Sequence, residues 1–168
     1  MVEKSQVLNQ QVRHKGIYNY SDVYAFCYEW FKEEDYVLEE NKYIEKNSEF
    51  GKEVIIEWKA WKKISDYFKN VIIVKWHILG QTDVEAEREG RKVKSNKGDL
   101  KITFQAQLER DYEERWEVNP VYKFFRGIYD RYIVKTTMDE YEIRLAKKTQ
   151  EAIEELKGFL TLEGKQVT

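Results

Sequence analysis

Two alternations of apolar and polar residues organise the middle of the chain. Over residues 54–64, Val54, Ile56, Trp58, Ala60 and Ile64 hold even positions while most odd positions are charged. Over residues 100–108, Leu100, Ile102, Phe104, Ala106 and Leu108 alternate with Lys101, Thr103, Gln105, Gln107 and Glu109. A period of two sends successive side chains to opposite faces, so both stretches predict strands with one buried face. The same parity resumes at Tyr112, Trp116 and Val118, which predicts that the second strand runs, bent near Asp111, almost to Asn119. Between them, "NVIIVKWHIL" (70–79) sets Ile72, Val74, Trp76 and Ile78 on one face and Val71, Ile73 and Leu79 on the other. Apolar residues on both faces mark a strand that is central, or covered on both faces for part of its length. Weaker strand patterns cover 11–20 and 36–46. "NSEFGKE", "SDYFKN" and "SNKGD" read as turns, and "DVEAERE" and "RKVKS" as short charged edge strands.

Three stretches carry helical spacing. Ser21 as an N-cap, with Asp22 in the first turn, opens a short helix near 22–34 on which Val23, Phe26, Cys27, Trp30 and Phe31 share a face. Asn119–Pro120 opens a second helix, 120–134, because proline has a preset φ and no amide to leave unpaired. Val121, Phe124, Phe125, Ile128, Tyr129 and Tyr132 form its broad apolar arc, opposite Lys123, Arg126, Asp130 and Arg131. Thr137–Met138–Asp139–Glu140 fits a capping box. Beyond it, Met138, Tyr141, Leu145, Thr149, Ala152, Leu156 and Phe159 make a stripe along a helix of roughly twenty residues.

A sheet with one apolar face needs a cover, and the last helix has the length to provide it. The expected fold is α+β: a curved antiparallel sheet packed on a long C-terminal helix, with short helices near 22–34 and 120–134. No linker or repeat divides the chain, so 1–168 is one domain, with 1–10 and 161–168 as tails. This order of elements, over about residues 11–160, resembles the helix-grip superfamily of START lipid-transfer domains, polyketide cyclase-like proteins and plant pathogenesis-related ligand binders. The resemblance implies a hydrophobic cavity between sheet and terminal helix. The chain has one helix between its first two strands where that superfamily usually has two, and the helix at 120–134 is an addition. The stretch "WEVNPVYKFFRGIYDRYI" is also similar to segments of hypothetical proteins from small-genome archaea, to which no activity attaches.

Composition narrows the classes of function. Twenty-nine basic against thirty-one acidic residues leave a net charge of -2, so no general basic excess favours nucleic acid. The longest apolar run is "VIIV", far short of a bilayer span, so membrane is not favoured and a cytoplasmic location is expected. The single cysteine, Cys27, excludes an internal disulfide and sits on the apolar face of its helix, where a thiol is inert. His14 and His77 have no metal-ligand spacing, and His77 lies opposite the apolar parity of its strand. Glu85, Glu87 and Glu89 alternate, as a solvated strand edge would. No glycine-rich phosphate loop, nucleophile elbow or zinc motif occurs, so no catalytic residue, metal or cofactor is assigned. "RKVKSNK" reads as a charged hairpin.

The expectation is a non-enzymatic binding or interaction module holding an apolar small molecule or a protein partner. Trp58, Trp76, Phe104, Trp116 and Tyr141 are the candidate cavity lining, since their parity points to the sheet–helix interface. Two alternatives remain. A homo-oligomeric assembly protein would use Ile55, Trp61, Phe124, Phe125, Ile128 and Tyr132 as its interface. A small cavity enzyme of cyclase or lyase type would need His77 or Glu57 to reach inward, against their parity.

Overall fold

The alternating stretches do form one antiparallel sheet. In a computed structural model, which describes residues 2–110, 120–129, 131 and 135–165, five strands are present: β1 (Glu3–Tyr18), β2 (Val37–Ser48), β3 (Gly51–Lys63), β4 (Phe68–Arg88) and β5 (Arg91–Arg110). Their order is β1-β5-β4-β3-β2, which puts the strand that is apolar on both faces, β4, in the centre. Helices α1 (Tyr20–Glu33), α2 (Pro120–Tyr129) and α3 (Lys135–Lys165) complete an α+β fold. Trp116 and Tyr132, with the proposed continuation of the last strand towards Asn119, lie outside the described residues.

Register carries the even parity across the sheet. Val54 pairs with Ile78, Ile56 with Trp76, Trp58 with Val74 and Ala60 with Ile72, and all eight side chains are buried. Ile72, Val74, Trp76 and Ile78 pair in turn with Ala106, Phe104, Ile102 and Leu100, also buried. Two helices cover this face. α3 lies against β1 and β5, burying Leu145, Ile153, Leu156 and Leu160, each worth roughly 1.5–3 kcal/mol in transfer from water. α1, rather than the terminal helix, covers the tryptophans: the Tyr24 ring is 5.0 Å from Trp58 and 6.0 Å from Trp76. Phe26 stacks on Phe159 at 5.0 Å and ties the two helices together.

Several element boundaries differ from the pattern in the sequence. β1 begins at Glu3 rather than near residue 11, and α3 begins at Lys135, so Thr137 lies inside the helix instead of capping it. Asn19, not Ser21, caps α1, and its side-chain oxygen accepts from the Asp22 amide at 3.1 Å. "DVEAERE" and "RKVKS" are the arms of the long β4–β5 hairpin, while the sheet edges are β1 and β2. Both edges carry charged side chains and one register shift each, between Gln6 and Leu8 and between Glu40 and Lys42, features that discourage strand addition.

The turn expected at 95–99 is absent, because β5 runs straight through it. The hairpin reverses instead at Glu89 and Gly90, both left-handed (φ 51° and 77°), as a two-residue turn between right-twisted strands requires. The turn-like residues at 95–99 serve a different purpose. Gly98 pairs with Gly16 on β1 and faces the β4 irregularity at Gly80–Gln81, beside which Gly51 of β3 approaches the Gly80 backbone. Four glycines from four strands therefore line up across the sheet. Such a row permits the bulge and close backbone approach by which a sheet bends towards its covering helices. The irregularity also turns Gln81 inward, where its Oε1 accepts from the buried Tyr18 hydroxyl at 2.8 Å. Beyond the crease the hairpin reaches the helix ends, where Arg88 pairs with Asp22 on α1 and Glu163 on α3.

Candidate functional site

The residues proposed as a cavity lining are in three different situations. Trp58 and Trp76 are fully buried and pack edge to face at 5.2 Å, Trp58 donating its indole N–H to Glu40 at 2.9 Å. Phe104 is buried at a void of only about 10 Å³ shared with Phe26, Cys27, Trp30, Phe31, Ala152 and Leu156, about the room of one water. Tyr141 alone of the described set reaches a larger space. Here, at the end of the sheet, a pocket of about 310 Å³ opens between α1, the β3–β4 hairpin and the first turns of α3. That is within the range of small-molecule sites.

The pocket is built from local structure at each contributing element. α1 ends at Glu33 with Glu34 as its C-cap, and Asp35 adopts a left-handed conformation (φ 63°). The Tyr36 amide then donates to the Phe31 carbonyl at 2.9 Å and the Asp35 amide to the Lys32 carbonyl at 3.2 Å, closing the helix C-terminus. This turn directs Tyr36 back against Phe31 and Trp30, with ring centroids 5.6 and 6.2 Å apart. It also leaves the Glu34 carbonyl free to accept Lys62 Nζ at 2.8 Å, which places that ammonium 5.3 Å from the Tyr36 ring centre. Across the pocket, Ser65 Oγ accepts from the Tyr67 and Phe68 amides and shapes the β3–β4 turn. Phe68 then packs edge to face on Tyr141 at 5.2 Å.

Polar groups converge on this apolar frame. Asn70 is buried at the pocket wall, and among the described residues its side-chain oxygen has no hydrogen-bond partner. A buried acceptor without a donor costs about 1–3 kcal/mol, a local penalty that the surrounding packing offsets. Burial pushes the Tyr36 hydroxyl up to about 12; its bond to Asn70 opposes the shift and the Glu34 charge adds to it. The hydroxyl therefore stays protonated at neutral pH. Lys62, Lys63, Arg144 and Lys148 also line the pocket, with one carboxylate among the described residues, Glu34.

Comparison with protein-family models, curated proteins and solved structures returns no match for this chain. The site must speak through its own chemistry.

The remaining candidates lie elsewhere. His77 and Glu57 are on the sheet face opposite the helices, where His77 Nε2 meets Glu53 at 3.1 Å and Glu57 is in register with Lys75. His14 donates to the Ile17 carbonyl at 2.8 Å. Glu85 and Glu87 sit opposite Lys94 and Lys92 on the hairpin, and Glu89 is in its turn. Ile55 and Trp61 are half-buried on the open face; Trp61 donates to Glu39 at 3.3 Å and lies under Lys69 Nζ. Phe124, Phe125 and Ile128 of α2 are exposed. No helix among the described residues is long and apolar enough to cross a membrane.

Cys27 is wholly buried on α1, and loss of hydration pushes its thiol far above the ordinary range. The folded protein is expected to leave this single thiol unreacted with an aromatic disulfide reagent at neutral pH, whereas denaturant should release one thiol per chain. Prompt stoichiometric reaction of the native protein would place Cys27 at the surface.

Proposed function

We propose that this protein is a non-enzymatic binding module that holds a small, largely apolar molecule at the end of its sheet–helix interface. The observation that carries the reading is the pocket of about 310 Å³ walled by Trp30, Tyr36, Ile64, Tyr141 and Leu145. Aromatic and aliphatic walls supply the burial, and the charged side chains at the opening supply the polar contacts. The reading keeps the helix-grip expectation of a ligand between sheet and terminal helix. It moves the ligand from the tryptophan-filled centre to the open end, where Tyr141 stands.

The uncharged fluorescent probe N-phenyl-1-naphthylamine tests it. Saturable enhancement of probe fluorescence is expected with the native protein. Ile64→Trp, which fills the pocket, should weaken binding about tenfold, while Ile55→Trp on the open sheet face should not. Both variants must first show cooperative unfolding. Absence of saturable binding, or equal weakening by the two substitutions, would overturn the proposal.

A further inference from the structure

We infer that the molecule taken by this pocket is an organic anion. Its body would be aromatic or short and aliphatic, and its head a single carboxylate or sulfonate group held at the cationic opening. The inference rests on the binding reading above and specifies the chemistry of its ligand.

Charge around the opening carries the argument. Among the described residues, Lys62, Arg144 and Lys148 line the pocket beside one carboxylate, Glu34. The chain as a whole has a net charge of -2, so this excess is local and not a share of a basic surface. Glu34 is already occupied: Lys148 reaches it at 3.8 Å and Lys62 bonds its carbonyl. Lys148 has a second carboxylate, Glu151, at 3.9 Å. Arg144 is different. Its guanidinium lies 6.0 Å from the Tyr141 ring centre, and among the described residues it has no carboxylate partner. A guanidinium held over an aromatic wall keeps its planar fork of donors available, and that fork matches the two oxygens of a carboxylate or sulfonate.

Spacing on α3 makes the arrangement one unit. Tyr141 and Leu145 face the pocket one turn apart, and Arg144 and Lys148 flank them with the same four-residue step. An apolar body lying against Tyr141, Trp30 and Tyr36 would therefore bring its head to Arg144 and Lys148. The pocket thus joins an apolar wall to a cationic opening.

A matched pair of probes isolates the head group, because 8-anilinonaphthalene-1-sulfonate is N-phenyl-1-naphthylamine with a sulfonate added. At low ionic strength the sulfonate is expected to bind about tenfold more tightly than its neutral counterpart. Arg144→Gln should lower sulfonate affinity about three- to tenfold and leave the neutral probe unchanged. Lys101→Gln, on the opposite sheet face, should alter neither. Raising sodium chloride from about 20 mM to about 500 mM should narrow the gap, since the rim is exposed to screening. Equal affinity for the two probes, or sulfonate binding indifferent to Arg144→Gln, overturns the anionic assignment while leaving a binding pocket in place. Failure of both probes removes the binding reading itself, and the inference with it.

Discussion

Replacing Trp58 with alanine is expected to cost the fold about 3–5 kcal/mol, read from the urea midpoint at constant slope. The side chain has no exposed surface and sits among Tyr24, Phe31 and Trp76 at ring distances of 5.0, 6.4 and 5.2 Å. Truncation would open a cavity between α1 and the two central strands and remove the donor to Glu40. A natural domain has about 5–15 kcal/mol in all, so the variant would stand near the limit of folding at 37 °C. Trp58→Phe separates the two losses, keeping most of the ring volume while deleting the N–H, and should cost about 1–2 kcal/mol. Trp61→Ala gives the contrast from the open face, where the half-buried ring contributes about 1 kcal/mol through Lys69 and its own packing. If Trp58→Ala were as mild as Trp61→Ala, α1 would not be seated on the sheet as described.

The second large effect is at Gly51. Its φ of 118° is open to glycine and strained for other residues, and a Cβ there would lie 2.8 Å from the Gly80 carbonyl carbon and 2.9 Å from two carbonyl oxygens. These are backbone atoms of the neighbouring strand, which cannot rotate away as a side chain would. Gly51→Ala should therefore destabilise by about 2–4 kcal/mol, from backbone strain and forced separation of β3 from β4 together. Gly90 supplies the control: its φ is 77°, but an added Cβ would meet nothing within 4 Å among the described residues. Gly90→Ala should cost about 1 kcal/mol, from conformation alone. Equal losses at the two glycines would mean that the close approach at Gly51 is not part of the folded state.

How far the sequence discloses this architecture depends on the length scale of the signal. Alternation from Val54 to Ala60 and from Leu100 to Leu108 is local, and it correctly identified a buried sheet face and the long helix that helps to cover it. The doubly apolar run at 71–78 correctly put β4 in the middle. The "SNKGD" segment misled because asparagine, glycine and aspartate are also what a crease needs. Asn96 accepts from the Tyr20 amide, Gly98 meets Gly16, and Asp99 pairs with Arg13 at 2.9 Å. Glycines at 16, 51, 80 and 98 have no common spacing, and only the strand register reveals their alignment.

The pocket was harder still to see in advance. Its walls come from both ends of the α1–β2 turn, the β3–β4 hairpin and α3, so no single window contains it. Tyr141 was legible from the helix stripe. Lys62–Lys63 at a strand end, with Arg144 and Lys148 one turn apart beside that stripe, was the available hint of charge. Parity alone could bring Trp58 and Trp76 to the interior; it could not say whether the interior was hollow. Two indoles and a tyrosine filling the same volume answer that question only in three dimensions.

The strand order has a consequence for the way the chain is made. β2, β3, β4 and β5 each meet a neighbour through a short hairpin, so their pairing can follow translation step by step. Among the described residues β1 pairs only with β5, and its ladder runs from Glu3 opposite Arg110 to Tyr18 opposite Asn96. β1, synthesised before the other four strands, must therefore wait for its partner until almost the whole meander exists. Closing that long loop is the slow entropic step, and until it is complete the nascent sheet presents β5 as a raw edge to other chains.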